Sequence, residues 1–288
     1  MIERIEENGQ RFYAGTVKNK TIKGTSVTTL ISAFENTSWL DRWWYNLGVK
    51  IAEEGASDEE ILRLGKIAAD KISNEASSHG TAQHEQAEFM LSGVSGYETA
   101  KQTSLPPNLG VFLEQNVTPV THANFPNGLG CEVKMLYERY GNVVGGTTDI
   151  VCDLQLRNLY FHDTKQKLSD VYNTDVIRCV GDYKFPKKPK YEKDNIRYYL
   201  QLPAYRAGLK YSYDLDVDFG LLMIAPRSTK MLYLWLLEKE VMDYYYKVFD
   251  EMLYLYAGDL CELFSWNYFV EKALKEDGAN ARRIVHKV

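Results

Sequence analysis

Two acidic residues and one lysine stand where strands are predicted, and together they could hold a metal ion and a phosphate. Asp149 ends the Gly-rich run GGTTD, and Asp182 and Lys184 lie in VGDYKF. Side chains two residues apart leave the same face of a strand, so Asp182 and Lys184 should share a face. Two carboxylates about 4 Å apart repel by about 4 kcal/mol at an effective dielectric of about 20, and a divalent cation removes that repulsion. Oxygen ligands select Mg²⁺ or Mn²⁺, so the pattern indicates a phosphodiester-cleaving site.

The same residues have an interpretation without chemistry, because the D-x-K pattern is common. In that alternative, Asp149 closes a turn, and Asp182 and Lys184 form an ion pair on an edge strand. His84 favours the metal site. It lies in GTAQH on the first turn of a predicted helix, with Glu88 one turn later on the same face. Neutral imidazole is a good ligand for a divalent cation, whereas the alternative is a solvated histidine beside Glu88.

A second group of residues could contact a nucleic acid. Gln201 and Tyr205 are four apart on a predicted helix, where an amide and a phenol can orient a phosphate or the attacking water; ordinary helix packing is the alternative. The segment before them is basic and rich in tyrosine, so bases could stack on its rings while cations follow the backbone, unless it is a solvated loop. Its candidate DNA-binding residues are Lys187, Lys188, Lys190, Tyr191, Lys193, Arg197 and Tyr198.

Predicted helices in the first third and predicted strands in the middle have to position these residues. Residues 11–17 and 24–31 are predicted to be extended, Ser38 and Ser57 to cap two helices, and Thr81 to cap a third. Strands are predicted within 130–139, 142–154, 159–163, 175–185, 217–226 and 230–238, and helices over 191–209 and 241–256. The pattern favours an α/β or α+β fold with a central mixed sheet flanked by helices. We expect a mostly helical N-terminal cap over residues 1–78, packed on a core over 79–288.

Length, composition and charge limit the class of protein. The chain has 288 residues, of which 45% are hydrophobic and 25% charged, which suits one sizeable core. It has neither an apolar run of about 20 residues nor a recognisable targeting segment, so a membrane is not an expected partner. Four cysteines without a C-x-x-C pair argue against a zinc ribbon, and Cys131, Cys152 and Cys179 are expected to be buried. We expect a cytoplasmic protein; its net charge of −5 does not favour nucleic acid, but the basic segment can outweigh that sum.

Taken in order, the motifs resemble the PD-(D/E)xK nuclease superfamily. The motifs are GTAQH (80–84), Glu132, GTTD (146–149), DYK (182–184) and QLPAY (201–205), and they are similar to those of its RecB-like exonuclease branch. The stretches SVTTLI (26–31) and LDRWW (40–44) also resemble the mitochondrial genome maintenance exonucleases and their phage relatives. The resemblance covers roughly residues 25–210 and implies a restriction-endonuclease-like core.

The resemblance also implies a role for each matched residue. Asp149 and Asp182 would bind one or two Mg²⁺ or Mn²⁺ ions, with His84 and the backbone carbonyl of Tyr183 as further ligands. Glu132 would be an acidic partner on a neighbouring strand, and Lys184 would orient or activate the nucleophilic water. Gln201 and Tyr205 would position the scissile phosphate. Ser26 and Thr28 of the SVTTLI stretch would contact DNA.

The implied activity is a DNA exonuclease that acts on ends or single strands, in phage or bacterial replication, recombination or repair. A single-strand-binding or annealing protein is a candidate partner. Two alternatives remain: a structure-specific or sequence-specific endonuclease with the same site, and a non-catalytic nucleic-acid-binding module with a vestigial nuclease fold.

The chain departs from the family pattern at three places. Thr148 stands where the superfamily has its proline. Residues 155–176 lengthen the connection between the two acids, and Asp153 shares a strand face with Asp149 and competes for its role. Iron–sulfur relatives carry three cysteines close together near the C-terminus, where this chain has only Cys261, so no iron–sulfur cluster is expected.

Overall fold

The computed structural model describes residues 1–35, 39–93, 105–188, 195–274 and 281–286, and within them the chain forms one mixed sheet flanked by helices. The strands are β1 (Ile2–Glu7), β2 (Gln10–Val17), β3 (Lys20–Ser26), β4 (Val117–Pro119), β5 (Cys131–Arg139), β6 (Asn142–Gln155), β7 (Leu159–Phe161), β8 (Val176–Lys184), β9 (Phe219–Ile224), β10 (Tyr233–Leu237) and β11 (Arg282–His286). The helices are α1 (Val27–Ser32), α2 (Trp39–Val49), α3 (Asp58–Ser92), α4 (Pro107–Asn116), α5 (Leu168–Tyr172), α6 (Ile196–Tyr213), α7 (Lys239–Ala257) and α8 (Trp266–Leu274). The predicted mixed fold, with a central sheet between helices, is confirmed at this level.

The long strand β6 is the centre of the sheet, and its two halves have different neighbours. Along one edge it pairs with β5 and then with β4, both antiparallel. Along the other edge it pairs in parallel with β3 at Val144 and Gly145, and antiparallel with β8 from Ile150 onward. The two partner strands on this edge therefore separate at residues 146–149, and the sheet forks where the GTTD motif lies.

Side chains that alternate along the strands feed two cores, one on each face of the sheet. Val151 and Val180 belong to a core that is covered by α1, α6, α7 and α8. Ile150 and Cys179, one residue away on the same strands, belong to a core that is covered by α3, α4 and α5. Alternation with a period of two places successive residues on opposite faces, and burial on both sides explains the continuous apolar runs of these strands.

The extended segment predicted over 11–17 is confirmed as part of β2. Residues 2–26 as a whole form a three-stranded antiparallel β-meander, which the expectation of a mostly helical N-terminal region did not include. The first turn is Asn8–Gly9, in which both residues have positive φ (51° and 74°), as a two-residue type I′ hairpin requires. The extended segment predicted over 24–31 ends at Ser26, where α1 begins. The Ser26 hydroxyl accepts a hydrogen bond from the Thr29 N–H (2.9 Å) and caps that helix.

The first helices form an antiparallel pair, α2 and α3. The predicted cap at Ser57 is confirmed, since its hydroxyl accepts a hydrogen bond from the Glu60 N–H at 3.2 Å. The Glu60 carboxylate binds the Arg63 guanidinium, so the second hydrogen bond of the predicted capping box is not formed. The prediction that a separate third helix begins at Thr81 is wrong, because α3 runs unbroken over 35 residues through Gly80 and Thr81. The boundary predicted after residue 78 therefore falls inside one helix of about 50 Å. The predicted cap at Ser38 lies outside the described residues.

The strands and helices predicted over the middle and the end of the chain agree with β5 to β10, α6 and α7 to within a few residues. The sequence patterns did not predict β1, β4, α1, α4, α5, α8 or β11. Among the helices that the structure describes, none combines the length and the apolar composition of a bilayer-crossing segment.

Candidate metal site and cleft

The register of β6 and β8 places the two predicted acids side by side. Ile150 pairs with Gly181, so the preceding residue Asp149 stands opposite the following residue Asp182. Residues 155–176, which lengthen the connection, form β7 and α5 and still return the chain to a neighbouring strand. Lys184 follows two residues after Asp182, and its ammonium contacts the Asp182 carboxylate, as their shared strand face predicted.

Asp149 is held as a carboxylate at the fork of the sheet. Its side chain is only 10% exposed. One oxygen accepts a hydrogen bond from the backbone N–H of Tyr183 (2.5 Å), and the other lies 3.1 Å from Nδ1 of His84. Burial works to raise the pKa of Asp149, but the neighbouring His84 and Lys184 and the Tyr183 N–H outweigh it and hold the pKa below its ordinary value.

The long helix α3 brings His84 over the strands. His84 Nδ1 also lies 3.8 Å from a Glu132 oxygen, so the imidazole faces two acids rather than Glu88 alone. Burial opposes protonation of His84, but the carboxylates of Asp149 and Glu132 prevail and raise its pKa to about 10. Ligand atoms of His84, Glu132 and Asp149 all lie within 4.8 Å of one another. Asp182 lies in the same cleft but is not a member of this group of three.

Glu132 reaches the group through a distortion of its strand. Its φ is 49°, in the left-handed region that a residue in a regular strand avoids. The flanking pairs are Cys131 with Ile150 and Val133 with Thr148, so Glu132 stands beside Asp149 in the register. A non-glycine residue in this conformation costs about 1–3 kcal/mol, and such outliers concentrate at functional sites. Glu132 therefore lies on the strand next to Asp149, as predicted, and the distortion supports it as a candidate ligand.

The surroundings of Asp182 disfavour its charged form. Its side chain is 3% exposed, and burial together with the neighbouring Asp149 raises its pKa to about 6, despite the opposing effect of Lys184. Its buried Oδ2 atom contacts the Lys184 ammonium but has no well-formed hydrogen bond to any residue that the structure describes. Burial lowers the pKa of Lys184, but the two carboxylates outweigh burial and keep it above its ordinary value. The ammonium therefore stays charged at neutral pH.

The donor set fits a divalent cation. One imidazole nitrogen and two carboxylates converge, a third carboxylate lies nearby, and such ligands suit Mg²⁺ or Mn²⁺. The buried Asp182 Oδ2 atom, which the Lys184 ammonium alone leaves incompletely satisfied, is a further acceptor for a cation. The Tyr183 carbonyl, the remaining predicted ligand, lies on β8 between Asp182 and Lys184.

These residues line a cleft of about 750 Å³, bounded by α3, the β-meander and α6. Gln201 and Tyr205, four apart on α6, both line it and are almost fully buried. Two adjacent glycines of β6 let tyrosine side chains from the β-meander and from α6 approach the backbone of the strand. A Cβ on Gly145 would lie 2.4 Å from the Tyr13 Cβ, and one on Gly146 would lie 2.6 Å from the Tyr205 Cε1. The tyrosines therefore pack directly on bare backbone.

The predicted DNA-binding residues fall into different places. Ser26 and Thr28 line the cleft, although the Ser26 hydroxyl is engaged as the cap of α1. Lys187 and Lys188 are exposed just beyond β8 and do not line the cleft. Two further residues are already engaged. Arg197 pairs with Glu35 at 3.0 Å, and the Tyr198 ring lies 5.1 Å from the Lys184 ammonium. Lys190, Tyr191 and Lys193 lie outside the described residues.

Asp153 does not compete with Asp149 for the site. Both of its oxygens bind the guanidinium of Arg178, its pairing partner on β8, at 2.8 and 3.1 Å. The prediction that Cys131, Cys152 and Cys179 are buried is confirmed.

Three cations of the cleft escaped the sequence analysis: Arg4 on β1, Arg11 on β2 and Lys134 on β5. A signal for the first two was present. The stretch IERIEE-NG-QRFYAGTV has the Asn-Gly turn that is the strongest short-range indication of a hairpin.

Comparison of the chain with protein-family models and with curated proteins finds no match, so the functional conclusion rests on the site itself.

Proposed function

We propose that the protein is a Mg²⁺- or Mn²⁺-dependent deoxyribonuclease with a PD-(D/E)xK core, and that it acts as an exonuclease. One observation carries the hydrolytic part of this proposal. The ligand atoms of His84, Glu132 and Asp149 converge within 4.8 Å, in a cleft that also holds the Lys184 ammonium. A lone ion pair between Asp182 and Lys184 would explain neither the imidazole from α3 nor the distorted backbone at Glu132.

In this proposal, His84, Glu132, Asp149 and Asp182 hold the cation. When bound, it would lower the pKa of a water ligand and stabilise negative charge on the phosphate in the transition state. Lys184 keeps its proton, so its ammonium can orient the attacking water or a phosphate oxygen. The side chains of Gln201 and Tyr205, which line the cleft from α6, offer hydrogen-bond donors. They can orient the scissile phosphate without adding charge.

The choice of DNA and of an end as the point of attack rests on the order of the motifs. A polymer of phosphates is supported by the cations that line the cleft beside its acids, which are Arg4, Arg11, Lys134 and Lys184. We therefore propose a role in phage or bacterial DNA processing, as the resembling nucleases would imply.

The test is to incubate end-labelled single-stranded and double-stranded DNA with Mg²⁺ or with EDTA, alongside circular single-stranded DNA, and to resolve the products on a gel. We expect metal-dependent release of nucleotides from linear DNA and intact circles. Cleavage of the circles would make the protein an endonuclease. DNA binding without any metal-dependent product would make it a binding module, and the proposal would be wrong.

A further inference from the structure

Two arginines of the N-terminal β-meander, Arg4 on β1 and Arg11 on β2, line the cleft. Arg4 pairs in register with Tyr13 on β2, and Arg11 pairs with Glu6, so the two arginines are diagonal neighbours on one face of the hairpin. Both line the cleft. The meander is anchored to the floor because the Tyr13 hydroxyl lies 3.0 Å from the Thr147 hydroxyl.

The anchor sets how far these arginines lie from the candidate metal site. Thr147 and Asp149 are two residues apart on β6, which is about 7 Å at about 3.4 Å per residue. The face of the meander that carries Tyr13 and both arginines is therefore held against β6 two residues away from Asp149. The arginines and the acids face one continuous space.

The arginines also differ from Lys20 and Lys23 of the meander in their partners, while Lys18, the remaining cation of the meander, lies over the Tyr211 ring. Lys20 pairs with Glu138 and Lys23 with Glu7, both at 2.6 Å. In the described part of the chain, neither Arg4 nor Arg11 has an ion-pair partner, even though Glu6 stands directly across from Arg11. Two exposed guanidinium groups without carboxylate partners, side by side at the rim of an acidic cleft, are suited to bind an anion.

We propose that Arg4 and Arg11 form a second anion-binding site, which holds a backbone phosphate next to the one that is cut. This inference rests on the proposed function and narrows its substrate to a polynucleotide with at least two consecutive phosphates. Guanidinium groups match phosphate oxygens with paired hydrogen bonds, which a lysine cannot reproduce. The site also explains how a chain of net charge −5 can bring a polyanion to a cluster of acids.

The experiment measures binding of a fluorescent single-stranded oligothymidylate by anisotropy, in EDTA so that no strand is cut, over a range of salt concentrations. The test variant is Arg4→Gln with Arg11→Gln. The matched control is Lys20→Gln with Lys23→Gln, which removes the same charge from the same meander outside the cleft. The test variant should bind about tenfold more weakly, and its plot of log affinity against log salt should be shallower by about 0.7, the change expected when one phosphate of a single strand is no longer neutralised. The control should match the wild type.

Equal binding by the two double variants and the wild type would overturn the proposal, as would an equal reduction of affinity in both variants. A third variant, Arg4→Lys with Arg11→Lys, guards against misfolding. It should restore the salt dependence and only part of the affinity, because charge is kept and the paired hydrogen bonds are removed. Since no metal and no cleavage are involved, failure of the nuclease assay would leave this result intact, and the two proposals can fail separately.

Discussion

The β6–β8 strand pair carries charged residues at both ends of its register, and the two ends balance charge in opposite ways. At one end, Asp153 stands opposite Arg178, and each carboxylate oxygen binds one guanidinium nitrogen at the partly exposed surface. At the other end, Asp149 stands opposite Asp182, and both are nearly buried. The same two strands thus hold one pair of opposite charges, which neutralise each other, and one pair of like charges, which do not.

This difference distinguishes an ion pair with a structural role from a candidate functional site. An exposed pair such as Asp153 and Arg178 contributes between about 0 and 1 kcal/mol to stability and needs no other partner. Buried like charges are unfavourable unless cations neutralise them. Here the imidazole of His84, on α3, lies beside Asp149, and the ammonium of Lys184, two residues along β8, contacts Asp182. Clusters of perturbed carboxylates in a cleft concentrate at functional sites. Three experiments can break or sharpen this contrast.

The largest difference should be in catalysis. Asp149→Asn, Asp182→Asn and Lys184→Ala should each lower the rate of DNA cleavage by about a thousandfold or more, because each removes charge needed at the reacting phosphate. Binding of single-stranded DNA by Asp182→Asn and Lys184→Ala should be nearly unchanged. Asp153→Asn is the matched control and should cleave at the rate of the wild type. A comparable drop in Asp153→Asn, or wild-type rates in the site variants, would contradict the assignment.

A smaller effect is expected in the pH dependence of metal binding. Because the pKa of His84 is raised to about 10, its imidazole carries a proton at neutral pH in the metal-free protein. A cation binds only the neutral ring, so binding releases that proton, and affinity should rise by up to about tenfold per pH unit between pH 7 and pH 9.

Titration calorimetry with Mn²⁺ in two buffers of different ionisation enthalpy counts the protons released. About one proton is expected for the wild type and for Asp153→Asn at pH 7.5, and none for His84→Asn. Release of no proton by the wild type would show that His84 is not a ligand.

The smallest effect should be in the stability of the metal-free protein, and here the two ends should differ in sign. Asp182 has a folded pKa of about 6, above the ordinary value of 3.8, so the folded state binds this proton more tightly than the unfolded state. Its contribution to stability therefore falls as the pH rises from about 4 to 6 and stays unfavourable above that. Asp182→Asn should raise the free energy of unfolding by about 1–3 kcal/mol at pH 8 and by less at pH 5.

Urea unfolding in EDTA measures this difference. Asp153→Asn should instead lower the free energy of unfolding by at most about 1 kcal/mol at both pH values. If Asp182→Asn were the more destabilising of the two at pH 8, the contrast between the two ends would disappear.

Local patterns in the sequence predicted the strands that carry Asp149, Asp182 and Lys184, because alternation and β-branched residues mark a strand without knowledge of its neighbours. The same patterns could not supply the register of β6 and β8, which depends on how residues 155–176 fold back, or the left-handed φ of Glu132. Gly80 suggested a helix boundary, yet a single glycine costs a long helix only about 1 kcal/mol, and packing of α3 outweighs it. Arg4 and Arg11 were not predicted to line the cleft, because the Asn8-Gly9 turn marks the hairpin that carries them but says nothing about which part of the molecule this hairpin packs against.

The two adjacent glycines of β6 have a consequence for finding relatives of this chain. Any side chain at 145 would displace Tyr13, and any at 146 would displace Tyr205, so both boundaries of the cavity depend on the bare backbone of these glycines. A distant homologue that kept the cavity would have to keep this pair, or change both aromatic rings together with it. Coordinated replacement at these four positions is therefore a search criterion that survives when overall sequence similarity has faded.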